Sequence, residues 1–114
     1  MTELRRAPRR SAAQSIPVTD TMTGEVIGRI GNLSSNGMML ICSRPMTDDA
    51  LYQFAFDLGG NGTATQPVVV GAHQQWCEES RIAGQYWAGF RIIDLGGEDD
   101  ARIRAWIRSG ARDA

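Results

Sequence analysis

From residue 15 onward, apolar positions come in short runs separated by polar and glycine-rich segments. Residues 15–20 read as a short strand around Ile16 and Val18. Thr21-Met22-Thr23-Gly24 follows as a turn, with Gly24 free to take positive φ. Residues 25–32 alternate, placing Val26, Gly28 and Ile30 on one face. Residues 37–42 form a dense apolar strand, Met38-Met39-Leu40-Ile41. Residues 43–50 hold Pro45 and a Thr-Asp-Asp cluster and read as a loop. In residues 51–58, Tyr52, Phe54 and Phe56 recur two apart, the period of a strand. A Gly-Gly-Asn-Gly turn at 59–62 leads to a valine-rich strand over 66–77. A polar hairpin loop over 78–85 then precedes a last strand over 86–95.

The tail changes period. Ile103, Trp106 and Ile107 fall at i, i+3 and i+4, one face of a helix over about 98–109. Glu98, Asp99 and Asp100 crowd its start while Arg104, Arg108 and Arg112 sit toward its end, both biases suiting the helix dipole. Gly110 is a plausible stop. Six strands with short turns and no intervening helix imply an all-β, antiparallel sheet. At this length, closure into a six-stranded barrel removes exposed edges, with the C-terminal α-helix over one mouth. Residues 1–14 have Leu4 as their one strongly apolar residue after Met1 and are interrupted by Pro8. They read as a flexible arm on a single domain over 15–114, since they have no apolar face to offset their ordering entropy.

Composition changes this picture in one respect. The chain has 114 residues and a formal net charge of −1, yet its 12 basic side chains are all arginine. Arg5, Arg6, Arg9 and Arg10 lie in the first ten residues beside one acid, so that segment is +3 and the remainder −4. A cationic arm thus precedes an acidic body. No apolar run reaches the ~18–20 residues of a membrane span, and no secretory h-region is visible. The two cysteines are too few for a disulfide framework, and reduced thiols in the cytoplasm are expected.

Evidence for catalysis is thin. His73, the single histidine, and Cys77 are four apart and would share a strand face, but nothing supplies an oxyanion hole or a third orienting group. A buried small thiol and a partly exposed histidine account for them more simply. One histidine and two distant cysteines make a poor zinc site. The pairs Asp48-Asp49, Glu78-Glu79 and Asp99-Asp100 suit solvated charges or caps. The turn at 59–62 lacks the lysine of a phosphate-binding loop. The expectation is a binding protein, not an enzyme, with no catalytic residue, metal or cofactor.

The binding signal is stronger. A guanidinium fork matches phosphate bidentately, matches the O6 and N7 acceptors of guanine, and can stack on a base. An all-arginine arm, Arg5-Arg6-Ala7-Pro8-Arg9-Arg10, suits a ligand with both groups, although a generic basic tail has the same composition. The segment Asn32-Leu33-Ser34-Ser35-Asn36-Gly37 offers an amide and a hydroxyl two residues apart. Its glycine can accept unusual backbone angles or let a ligand approach the main chain. Turn chemistry alone would also explain it.

Together these elements resemble the PilZ domain family of cyclic di-GMP receptors. That family pairs an Arg-x-x-x-Arg motif with a downstream (Asp/Asn)-x-Ser-x-x-Gly motif. Arg6 and Arg10 fit the first, Arg5 and Arg9 fit it equally in spacing, and Asn32, Ser34 and Gly37 fit the second. The ending also matches, with Gln75-Trp76-Cys77, a hairpin, then 86–94, so the likeness runs from Arg5 to about Leu95. The resemblance implies a six-stranded barrel with a C-terminal helix and cyclic di-GMP as ligand. Arg6 and Arg10 would clasp phosphates and guanine edges, with Arg5 and Arg9 as helpers. Arg6 and Arg10 are favoured because the family often shows an arginine just before the pair. Asn32 and Ser34 would bond a guanine or its surroundings, and Gly37 would permit the loop shape. Trp76 could pack near the ligand, though a barrel-wall place explains it slightly better. The implied function is a receptor and adaptor whose arm orders on the ligand and which signals by contact with an effector protein. Motility, biofilm or exopolysaccharide control is the expected setting.

Two alternatives stand beside this reading. One is an OB-like barrel that binds single-stranded nucleic acid, against which count the −4 body and only eight aromatics. The other is a PilZ-like interaction module that binds no nucleotide. The expected partners are cyclic di-GMP and a protein, not DNA or RNA, with no membrane span.

Overall fold

The computed structural model describes residues 8–47, 49–59 and 66–113. Among these residues are seven antiparallel strands and one helix. The strands are β1 (Arg10–Ser11), β2 (Pro17–Asp20), β3 (Glu25–Leu33), β4 (Gly37–Cys42), β5 (Leu51–Phe56), β6 (Val68–Glu79) and β7 (Tyr86–Leu95). The helix is α1 (Gly97–Asp113). The six longer strands run in the order β3-β2-β5-β6-β7-β4, and a β3–β4 pairing closes the ring. The all-β, six-stranded antiparallel barrel with a C-terminal α-helix read from the sequence is the observed fold.

The core fills the ring with residues of the six longer strands, for the most part alternate ones. Phe54, Leu33, Met38, Leu40, Val18 and Val70 are fully or almost fully buried. Tyr52 stacks on Phe54 with centroids 5.4 Å apart, and Phe54 meets Phe90 edge-on at 5.0 Å, the two arrangements that aromatic quadrupoles favour. The 51–58 periodicity therefore located the aromatic centre of the barrel. Ile103 and Ile107, the apolar stripe of α1, join the same core. Asp99 anchors the first turn of the helix, its Oδ2 accepting from Val69 N at 3.2 Å and its Oδ1 from Arg102 Nη1 at 2.7 Å.

Three features depart from the sequence reading, each for a local reason. First, the alternation over 25–32 breaks at a bulge. Val18 pairs with Gly28 and Thr19 with Val26, so Ile27 is the extra residue. Ile27 is consequently buried while Val26 is 64% exposed. Second, a bulge between Gln74 and Trp76 switches the face of β6. His73 pairs with exposed Arg91, and Cys77 with buried Ala88. The two residues expected to share a face lie on opposite faces, so the Cys–His arrangement is not formed. Third, α1 continues past Gly110.

The arm also has a described part. Residues 8–14 leave the barrel as a strip whose Arg10 pairs with Leu33 and Ser11 with Asn32. Ala12 N donates to Gly31 O at 3.1 Å. β3 is nine residues long and outruns the four-residue β2, so its last backbone groups need another partner, which β1 supplies.

Candidate functional site

The site begins with the loop between β3 and β4. Ser34 N donates to Gly37 O at 2.8 Å, closing a four-residue turn. The Ser34 hydroxyl completes it: Oγ accepts from Asn36 N at 3.3 Å and from Gly37 N at 3.0 Å. Its proton points to Asn36 Oδ1 at 2.9 Å and Gly37 O at 3.2 Å. Ser34 is wholly buried. Its hydroxyl is spent on holding the loop. The Asn36 carbonyl accepts from Ile92 N at 3.0 Å, fastening the loop to β7.

This loop presents Asn32 to the arm. Arg9 Nη1 donates to Asn32 Oδ1 at 2.6 Å, across 23 residues of sequence. Gly37 has no positive φ, so conformational freedom is not its role here. A Cβ on it would sit 3.0 Å from Arg9 Nη2 and 3.3 Å from Phe90 O, so its missing side chain makes room for the guanidinium. On the far side, the Trp76 indole lies across Gly89, and a Cβ at Gly89 would collide with the ring.

These groups line an open cavity of about 550 Å³, within the range of small-molecule sites. It brings together Arg9, Asn32, Gly37 and Trp76 with Asn36, Gln75 and Arg91, and no carboxylate is among its lining residues. Arg91 faces Gly37 across the β4–β7 ladder and has no hydrogen-bond or ion-pair partner among the described residues. The cavity is thus cationic on an acidic body.

Arg10 goes elsewhere. Its guanidinium lies 4.2 Å from the centroid of the Trp106 ring, and Nη1 donates to Trp106 O at 2.7 Å and Ser109 Oγ at 3.2 Å. Its side chain occupies the space a Cβ at Gly110 would need. Glycine at 110 therefore serves this packing, and the helix runs through it. Adjacent strand residues point to opposite sides, so Arg9 faces the cavity and Arg10 faces α1. Arg5 and Arg6 lie outside the described residues.

A model of the PilZ domain matches residues 3–109. The chain belongs to the PilZ domain family. Comparison with curated protein sequences returns no match. Among solved structures, this PilZ domain is similar to the PilZ domain of YcgR from Escherichia coli with c-di-GMP, at TM-score 0.71 and 16% identity, over 96% of this chain and 92% of that one. It is also similar to YcgR from Escherichia coli in complex with c-di-GMP (TM-score 0.74, 18% identity, 96% of this chain, 46% of that one). A third neighbour is the Bacillus subtilis inhibitor of motility MotI/DgrA (TM-score 0.70, 12% identity, 96% of this chain, 50% of that one). The chain spans about half the length of the last two.

Within this PilZ domain His73, Cys42 and Cys77 are not among the residues lining the cavity. Burial, and then the neighbouring Cys77, push the Cys42 thiol up to about 11, so it stays protonated near neutrality and is a poor nucleophile. No helix among the described residues is long and apolar enough to cross a membrane. No cluster of three or more His, Cys, Asp or Glu among them could hold a metal ion. Sequence reasoning missed Asn36, Gln75 and Arg91. Asn36 sits inside the second motif at one of its unspecified positions, while Gln75 and Arg91 belong to neither ligand motif and are brought to the cavity by the sheet.

Proposed function

We propose that this PilZ domain is a receptor for cyclic di-GMP, gripped between the arm and the β3–β4 loop, and that it signals by protein contact. The observation that carries this reading is the Arg9–Asn32 hydrogen bond in a cationic cavity, which joins the two motifs. Two of its structural neighbours are described with c-di-GMP, and a third as an inhibitor of motility, which supports the same ligand class and a motility setting.

The position of Arg9 favours Arg5 and Arg9 as the clamp, with Arg10 committed to α1. Arg9 and Arg91 provide forks for phosphates and for guanine O6 and N7. Asn32 orients Arg9, Ser34 shapes the loop from within, and Trp76 offers a ring at the cavity wall. On this reading the arm is ordered by the ligand and so presents a changed surface to an effector protein.

Calorimetric titration with cyclic di-GMP tests this reading. Micromolar or tighter binding is expected. Arg9→Ala should weaken it ~10-fold or more, the scale of one charge-assisted hydrogen bond. Arg10→Ala should change affinity by less than Arg9→Ala. A parent protein that binds no cyclic di-GMP overturns the reading. Equal losses in both variants overturn the Arg5–Arg9 register.

A further inference from the structure

The cavity described above contains forks for the acceptor edge of guanine, and its donor edge needs a hydrogen-bond acceptor. Guanine carries N1–H and the exocyclic N2 amino group beside O6. Three side-chain amide oxygens line the cavity. Asn32 Oδ1 is taken by Arg9, and Asn36 Oδ1 by the Ser34 hydroxyl. Gln75 Oε1 has no donor among the described residues.

The orientation of Gln75 is set by a chain of side chains. Gln74 points into the barrel and is 1% exposed. Its Oε1 accepts from Asp49 N at 2.9 Å, which holds Asp49 at a φ of 62°. Asp49 Oδ1 faces His73 Nε2 at 2.5 Å. In the tautomer that carries its proton on Nε2, facing the Asp49 carboxylate, Nδ1 is an acceptor. Nδ1 then receives Gln75 Nε2 at 2.8 Å, and the same nitrogen also reaches His73 O at 3.3 Å. Both amide hydrogens of Gln75 are engaged. In that tautomer a flipped amide would set its oxygen against the Nδ1 lone pair.

We propose that Gln75 is a specificity-determining residue of this site, its Oε1 accepting a hydrogen bond from the exocyclic N2 amino group of guanine, with Asp49 and His73 as positioning residues. The proposal rests on the cyclic di-GMP reading and assigns a recognition contact outside both motifs. It explains why the β6 bulge falls beside Gln75, since the extra residue turns consecutive side chains Gln75 and Trp76 toward the same cavity.

The test compares cyclic di-GMP with cyclic di-IMP, whose hypoxanthine bases lack only the N2 amino group. Titrations use the full chain, Gln75→Met, and His73→Phe, with circular dichroism confirming the fold. The parent should prefer cyclic di-GMP by ~5- to 10-fold, the discrimination of one good base contact. Gln75→Met, similar in shape without the acceptor, should bring the two affinities within about twofold, chiefly by weakening cyclic di-GMP. His73→Phe should reduce the preference, chiefly by weakening cyclic di-GMP. A Gln75→Met protein that keeps the parent's preference overturns the contact. A His73→Phe protein that keeps it overturns the relay. A parent that binds neither dinucleotide overturns the functional reading and this inference with it, whereas a parent that binds both equally overturns this inference alone.

Discussion

At the scale of single residues, two members of one motif do different work. Ser34 is buried and satisfies two backbone N–H groups of its own loop, while Asn32 is partly exposed and meets Arg9. Removing a hydroxyl from Ser34 strands those donors, a loss of about 1–3 kcal/mol. Ser34→Ala should therefore lower the urea midpoint and weaken ligand binding through the misshapen loop. Asn32→Ala should leave the midpoint nearly unchanged and act on binding alone. Equal midpoints for the two variants would contradict this division. Cys42 adds a pH dependence. Its thiol titrates near 9 when unfolded and is raised to about 11 by burial in the fold. The unfolded chain loses that proton first, so this contribution is intact below about pH 9 and is lost as pH rises toward 11. Denaturation of the parent and of Cys42→Ala across that range should show a steeper decline in the parent.

At the scale of elements, α1 is held by its apolar stripe and by Arg10. The guanidinium over Trp106 and its bond to the Trp106 carbonyl together stabilise the docked helix by about 1–3 kcal/mol. Gly110 would normally weaken a helix by about 1 kcal/mol relative to alanine. Gly110→Ala alone should destabilise, since the new Cβ meets Arg10. In an Arg10→Ala background the same change should stabilise, and urea unfolding of the four proteins checks the change of sign. Elements were largely legible in the sequence because strands with one buried face alternate, as Tyr52, Phe54 and Phe56 do, and because Ile103, Trp106 and Ile107 have helical spacing. The bulges at Ile27 and after Gln74 were not legible. A bulge depends on what the partner strand offers, and no local pattern records it.

For the whole molecule, the barrel decides which distant residues become neighbours. The link between the Arg-x-x-x-Arg and Asn-x-Ser-x-x-Gly elements was legible, and Arg9 and Asn32 do meet. The register of the arginines was not legible, because the doublets at 5–6 and 9–10 satisfy the spacing twice. In the structure Arg9 meets Asn32 whereas Arg10 packs on Trp106. Gln75 and Arg91 reach the cavity from β6 and β7 through pairings that no linear motif encodes. Global charge points to selectivity: a cationic cavity on a body of −4 offers a polyanion one short patch and repulsion elsewhere. A gel shift with single-stranded RNA or DNA at physiological salt should show no retarded band at concentrations that saturate with cyclic di-GMP.

β1 is two residues long, and Arg9, just before it, and Arg10, its first residue, face opposite ways, one to the cavity and one to the helix. A strand this short cannot be redrawn on one side alone. If an occupant that repositions Arg9 also shifts Arg10 on Trp106, then a partner that seizes α1 disturbs Arg9 in turn. Thermodynamic reciprocity makes the two effects equal in free energy, so a partner that grips the helix would tune nucleotide affinity by the same factor that nucleotide tunes its own.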